Sequence, residues 1–152
     1  MGRGQAFEVF RLLIAAVIAG AILMVLLSIL GPVRPLTQNP DDFVKQSIKN
    51  LAREGGARTS QPVVFDHGML INLRAAAAAA VIDPSCVCYV DQTGGWKPAS
   101  YDDYVLEYSG AKLRGQISVV CSALSGSASP YCSSCTPDTC NVCCKVVFSK
   151  VS

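Results

Sequence analysis

Apolar residues fill every position but one from Leu12 to Leu30, a run of 19 residues, LLIAAVIAGAILMVLLSIL, that carries no charge. As a helix rising 1.5 Å per residue it is about 28 Å long, close to the ~30 Å hydrocarbon core of a bilayer. A helix that packs on a water-soluble core keeps a polar stripe, and this run has none. The pattern predicts a transmembrane helix over residues 12–31, preceded by a short N-terminal tail, 1–11. The competing reading is the apolar core of a cleaved secretory signal, which usually spans only about 7–15 residues and ends at a small-residue cleavage site. Here the run is longer, and Gly31-Pro32-Val33-Arg34-Pro35 follows it with no A-x-A pattern, so retention of the helix is expected.

Beyond the helix the periodicity changes twice. Pro32 and Pro35 stop the apolar helix, because proline lacks the N–H and clashes with the preceding turn. Residues 32–61 read as a linker that contains one amphipathic helix. Asn39 is its cap, Pro40 its first residue, and Asp41 and Asp42 sit at the positive end of its dipole. Phe43, Val44, Ser47, Ile48 and Leu51 share one face, Lys45, Lys49 and Arg53 lie on another, and Gly55-Gly56 ends it. The face is short and has no Trp, which favours packing on the following domain over lying among lipid headgroups.

Residues 62–152 read as one domain. Pro62 to Phe65 is a short strand. Asp66 is the expected cap of a helix through Leu70, Ile71, Leu73 and Ala75 to Ala80, which packs against a sheet and ends at Asp83-Pro84. Ser85 to Val90, Tyr104 to Tyr108, Leu113 to Cys121 and Cys144 to Val151 read as strands, with turns at Gln92 to Gly95 and Gly110 and a loop over Ser122 to Pro130. The expected class is α+β: a transmembrane helix, then a small disulfide-rich domain with a mostly antiparallel sheet and one or two helices.

Composition narrows the function. A net charge of +2 with no Lys/Arg-rich stretch and sparse aromatic residues gives no basis for nucleic-acid binding. Positive charge is nearly balanced across the apolar helix, with Arg3 and Arg11 on one side and Arg34, Lys45 and Lys49 on the other, so charge alone does not orient it. The cysteines do. Cys86, Cys88, Cys121, Cys132, Cys135, Cys140, Cys143 and Cys144 all follow the helix, and an even set of eight in a small domain suits an oxidising exterior. The C-terminal domain is expected outside, on a single-pass cell-membrane protein.

Three uses of these cysteines compete. A disulfide framework fits their parity and a C-terminal stretch, SPYCSSCTPDTCNVCC, that has little else to bury; its connectivity is open among 105 pairings. Cys86 and Cys88, two apart on a strand, point to one face and should reach separate partners. Cys132-x2-Cys135 and Cys140-x2-Cys143 resemble two zinc knuckles, but only four residues separate them, against about 15–20 in paired knuckles. Cys135-x4-Cys140-x2-Cys143 matches the plant-type [2Fe–2S] spacing and lacks the downstream fourth ligand. Compartment and parity favour disulfides, with no metal and no cofactor.

No catalytic motif stands out. His67, the single histidine, lies between Asp66 and Gly68 as a loop residue. Asp102, Asp103 and Glu107 fit no calcium loop and read as a solvated strand edge. Phosphate-binding glycine loops and a serine elbow are missing from the sequence.

The opening RGQAFEVFRLLIAAVIAGAILMVLL resembles the class III signal segments of archaeal type IV pilin-like proteins: a basic and a small residue, Gln, an acidic residue and a long apolar helix. The resemblance covers about the first 30 residues. It implies that a prepilin peptidase cuts between Gly4 and Gln5 and that the helices bundle into a filament core. There Glu8 would neutralise a neighbour's amino terminus, although it falls at the fourth mature position where the fifth is usual. Arg11 also interrupts the apolar run.

The leading expectation is therefore a non-enzymatic, membrane-anchored surface protein, a pilin-like filament or cell-surface subunit. Its partners would be membrane lipid and either other copies or other membrane subunits, met through the apolar helix. Two alternatives stand beside it: an uncleaved single-pass accessory subunit of an envelope complex with a binding ectodomain, and a membrane-tethered redox carrier using the C-terminal cysteines.

Overall fold

The computed structural model describes residues 3–30, 39–124 and 132–152, with side chains at 7–26 of the first segment. The expected helix stop at Pro32 and Pro35, the start of the linker and most of the Ser122 to Pro130 loop lie outside the described residues. The chain forms two compact units, Met1–Leu36 and Thr37–Ser152.

The first unit is one helix, α1 (Arg3–Leu30). It begins well before the uncharged run, so Glu8 and Arg11 are helical, with the Arg11 guanidinium over the Phe7 ring one turn back at 5.9 Å. Its apolar span, Phe7–Leu26, has no buried residue. Phe7, Leu12, Val17, Leu23 and Met24, on different sides of the helix, are all exposed.

The second unit begins with α2 (Pro40–Glu54), which follows the sequence pattern closely. The Asn39 side chain accepts from the Asp41 N–H at 3.2 Å, and Gly55, at a φ of 70° that favours glycine, ends the helix with its N–H donating to the Leu51 carbonyl at 2.7 Å. Phe43, Val44, Ser47, Ile48 and Leu51 are buried. They pack on a five-stranded sheet. Its centre is the antiparallel pair β7 (Leu113–Ala123) and β8 (Val142–Lys150). Strict alternation builds the inner face: Gly115, Ile117, Val119 and Cys121 on β7, and Cys144, Val146 and Phe148 on β8, are buried. Two short strands, β1 (Gly56–Thr59) and β2 (Val63–Phe65), share the far edge of β7. Ser60 bridges the break between them: its N–H donates to the Ile117 carbonyl at 2.8 Å and its hydroxyl accepts from the Ile117 N–H at 3.0 Å.

The remaining strands depart from the expected single sheet. β4 (Val87–Asp91) pairs with β8 in parallel, and β3 (Leu70–Asn72), β6 (Asp102–Tyr108) and β5 (Trp96–Ala99) form a separate three-stranded antiparallel sheet. An aromatic cluster joins the two. Phe65 and Phe148 come from the first sheet, Trp96 and Tyr108 from the second, with Trp96 stacked on Phe148 at 4.5 Å. Gly115 makes room for Phe65: a Cβ there would sit 2.1 Å from the ring.

Several local expectations are corrected. Asp66 does not cap a helix; Leu70 to Asn72 pair with β6, and α3 (Leu73–Ala80) starts only after them, capped by Asn72, whose side chain accepts from the Ala75 N–H at 2.8 Å. A backbone bond from the Asn72 N–H to the Asp41 carboxylate, 2.8 Å, ties this junction to the first turn of α2. The helix ends at Val81, not at Asp83-Pro84, and its buried alanines, Ala76 and Ala77, belong to a face packed chiefly on α2 rather than on a sheet. Asp83 caps a 3₁₀ turn, Pro84–Cys86, so Cys86 precedes the strand that carries Cys88.

Candidate functional site

Two features of the sequence invite function, the cysteine-rich end and the apolar helix, and each is built by its own unit.

All eight cysteines are joined in disulfides: Cys86–Cys140, Cys88–Cys132, Cys121–Cys144 and Cys135–Cys143. Cys121 and Cys144 are directly opposed on β7 and β8 and belong to the main core. Of the other three bonds, Cys86–Cys140 and Cys88–Cys132 pin residues 132–143 onto the 3₁₀ turn and β4, and Cys135–Cys143 ties the stretch to its own end at the start of β8. That stretch, CSSCTPDTCNVC, offers almost no apolar side chain apart from its cysteines. Cys86, Cys132, Cys135, Cys140 and Cys143 accordingly form a second small core of their own, packed by Ile82, Cys88 and Leu124. Backbone turns shape the block: the Cys135 N–H donates to the Cys132 carbonyl at 3.2 Å, and the Cys140 N–H to the Thr136 carbonyl at 2.9 Å. The two CxxC pairs are not equivalent. Cys140 is drawn to Cys86, whereas the sulfurs of Cys132, Cys135 and Cys143 lie within 4.8 Å of one another.

Of the polar residues singled out in the sequence, Asp66 and Asp102 are engaged in ion pairs. His67 is exposed, and its neighbour Asp66 pairs with Lys112 at 3.2 Å. Asp102 receives two bonds from the Arg74 guanidinium, at 3.0 and 3.1 Å, and one from the Tyr104 N–H; these hold its carboxyl below the ordinary range. Asp103 is exposed beside it in a shallow polar hollow, and Glu107 stands opposite both Lys97 and Leu70 in the three-stranded sheet. Sequence reading missed Asp91. Burial pushes its carboxyl up, but hydrogen bonds from the Thr93 hydroxyl and from the Trp96, Thr93 and Gly94 N–H groups outweigh this and hold it low. It fixes the turn that leads from β4 into the other sheet. An Asp two residues before Thr93-Gly94-Gly95 was the available clue.

Gly4, Gln5 and Glu8 all lie within α1, with Gln5 and Glu8 three residues, about one turn, apart. The Glu8 side chain is exposed.

The chain is a disulfide-rich α+β protein that carries one apolar helix of the transmembrane or signal type. No family model, curated protein or solved structure matches it.

Proposed function

We propose that the chain is a non-enzymatic, pilin-like subunit, anchored in a membrane or a surface filament by α1 and presenting its cross-linked domain outside. The observation that carries this is the helix itself. It runs unbroken through Glu8 and has apolar side chains on every side, so it needs hydrocarbon or other helices around it. Gly20, with nothing within 4 Å of where its Cβ would stand, and its neighbours Ala19 and Ala21 permit close helix–helix approach. Glu8 is the only carboxylate of α1. A carboxylate among apolar helices is tolerable when it is paired, and a neighbour's free amino terminus at Gln5 supplies the partner charge.

Two further points support the reading. Three described carboxylates are already engaged by cations, Asp41 by Lys45, Asp66 by Lys112 and Asp102 by Arg74. A redox carrier asks for an accessible, activated thiol; here every cysteine but Cys88 is buried and all are bonded. Disulfides persist in oxidising surroundings, which favours the outside for this domain.

The mature N-terminus tests the proposal. Protein taken from its native membrane is expected to begin at Gln5, and Glu8→Gln is expected to impair assembly while the four disulfides still form. An N-terminal peptide that still carries Met1 would overturn the pilin-like reading in favour of an uncleaved accessory subunit.

A further inference from the structure

The disulfide block holds an arrangement that disulfide bonding alone does not require. Cys132 and Cys135 sit at the two ends of one hydrogen-bonded turn, closed by the Cys135 N–H on the Cys132 carbonyl at 3.2 Å. Cys88 and Cys143 belong to adjacent parallel strands. Cys88 pairs in register with Lys145, and Cys143 lies two residues before Lys145, so both project from the same face of the sheet. A two-cysteine turn thus closes over a two-cysteine sheet edge. The sulfurs of Cys132, Cys135 and Cys143 lie within 4.8 Å of one another, and that of Cys88 is one bond from Cys132. All three clustered residues are buried, with Cys143 wholly inaccessible.

Zinc held by four thiolates at about 2.3 Å places its sulfurs about 3.8 Å apart. In the oxidised chain Cys135 is bonded to Cys143 and Cys88 to Cys132, with the Cys132 sulfur within 4.8 Å of the other pair; reduction lets each bonded pair open to that spacing, and Cys132 has at most about 1 Å to close. We propose that in the reduced chain Cys88, Cys132, Cys135 and Cys143 bind one zinc ion, which seats the 132–135 turn on the sheet edge before the disulfides form. Binding removes four thiol protons and makes four Zn–S bonds. Oxidation by a disulfide-class acceptor then takes two electrons from each of the two cysteine pairs, makes two S–S bonds and releases the ion. Only the first CxxC motif, Cys132 with Cys135, is used whole; of the second, Cys143 belongs to the cluster and Cys140, the partner of Cys86 in the oxidised chain, does not. The inference concerns the chain before oxidation and does not depend on the filament reading.

The test uses the full chain in detergent, reduced with an excess of a dithiol that is then removed without air. Zinc is added, and thiols are mapped by alkylation and mass spectrometry with and without the metal. The expected result is one zinc per chain, with zinc-dependent protection of Cys88, Cys132, Cys135 and Cys143 alone. Cobalt in place of zinc should give the visible absorption of a tetrahedral tetrathiolate site. Cys135→Ser with Cys143→Ser should abolish it, and Cys86→Ser with Cys140→Ser should leave it intact. The oxidised chain should bind no zinc. Protection that extends to Cys86 and Cys140, a stoichiometry other than one, or a cobalt spectrum that survives loss of Cys135 and Cys143 would overturn the assignment.

Discussion

Nested disulfides should not contribute independently, and the cysteine block allows the coupling to be worked out. Cys86–Cys140 closes a loop of 54 residues and Cys88–Cys132 one of 44 that lies inside it. Removing either bond while the other remains opens only the short path between them: two residues from Cys86 to Cys88, eight from Cys132 to Cys140, and the surviving bridge. Closing a loop of about 10 residues is worth about 2.7 kcal/mol in the chain-entropy description. Removing both also opens the long loop, worth about 4 kcal/mol. The double removal should therefore exceed the sum of the two separate removals by about 1 kcal/mol. The assay is a cycle of three variants against the parent: Cys86→Ala with Cys140→Ala, Cys88→Ala with Cys132→Ala, and all four. Urea unfolding is followed by the fluorescence of Trp96, the only tryptophan, which is 3% exposed in the native state. Packing losses at each pair appear in both arms of the cycle and cancel. Strict additivity, or a double loss smaller than the sum, would refute the argument that the two bonds share one loop.

Three other expectations rest on single residues. Asp91→Asn should cost about 1–2 kcal/mol in urea unfolding at neutral pH, because it weakens bonds to three N–H groups and a hydroxyl. Since the folded carboxyl is held low, its stabilisation is present above the ordinary carboxylate range and is lost as pH falls through the lowered value, so the variant should show a shallower loss of stability below about pH 4. Gly115→Ala should destabilise by about 1–3 kcal/mol by forcing the Phe65 ring out of the aromatic cluster, visible as a change in Trp96 fluorescence even before unfolding. Protease added to intact cells should cut at Arg53 or Lys97, both exposed on the second unit, and protection of both until the membrane is broken would reverse the proposed orientation.

What the sequence discloses depends on how local the cause is. The helix α2 was legible from cap to stop because Asn39, Pro40, the Phe43 to Leu51 face and Gly55 each act within a turn or two of themselves. The long strands β7 and β8 were legible from their alternation. Leu70 to Asn72 was not: a short apolar run before six alanines suits helix or strand equally, and the edge of β6, some thirty residues on, decides it. Trp96 to Ala99 carries Lys97 and Pro98 and lacks alternation; it is a strand because Trp96 enters the aromatic cluster while Pro98 sits on an outer strand at an irregularity. The parallel register of β4 on β8 has no local signature either. In the cysteine block the residues were evident and their partners were not. Cys86 and Cys88 did reach separate partners, but through a 3₁₀ turn and a strand rather than from one strand face.

The two units also differ in what must be supplied from outside the chain. Residues 132–141 bring almost no hydrophobic surface of their own, and in the folded chain they are held by covalent bonds that need an oxidant to form. The helix α1 brings nothing but hydrophobic surface between Leu12 and Leu26, and in the proposed reading hydrocarbon or neighbouring helices cover it. A cytosol supplies the second condition at its membrane but opposes the first; bulk exterior fluid supplies the first and not the second. Both are met together at the outer face of a membrane, or in a filament that rises from it. The near balance of flanking positive charge does not choose a direction for the helix, and the cysteines, which all follow it, are the ground for proposing the one that puts them in oxidising surroundings. On this ground we propose that the cross-linked domain lies outside.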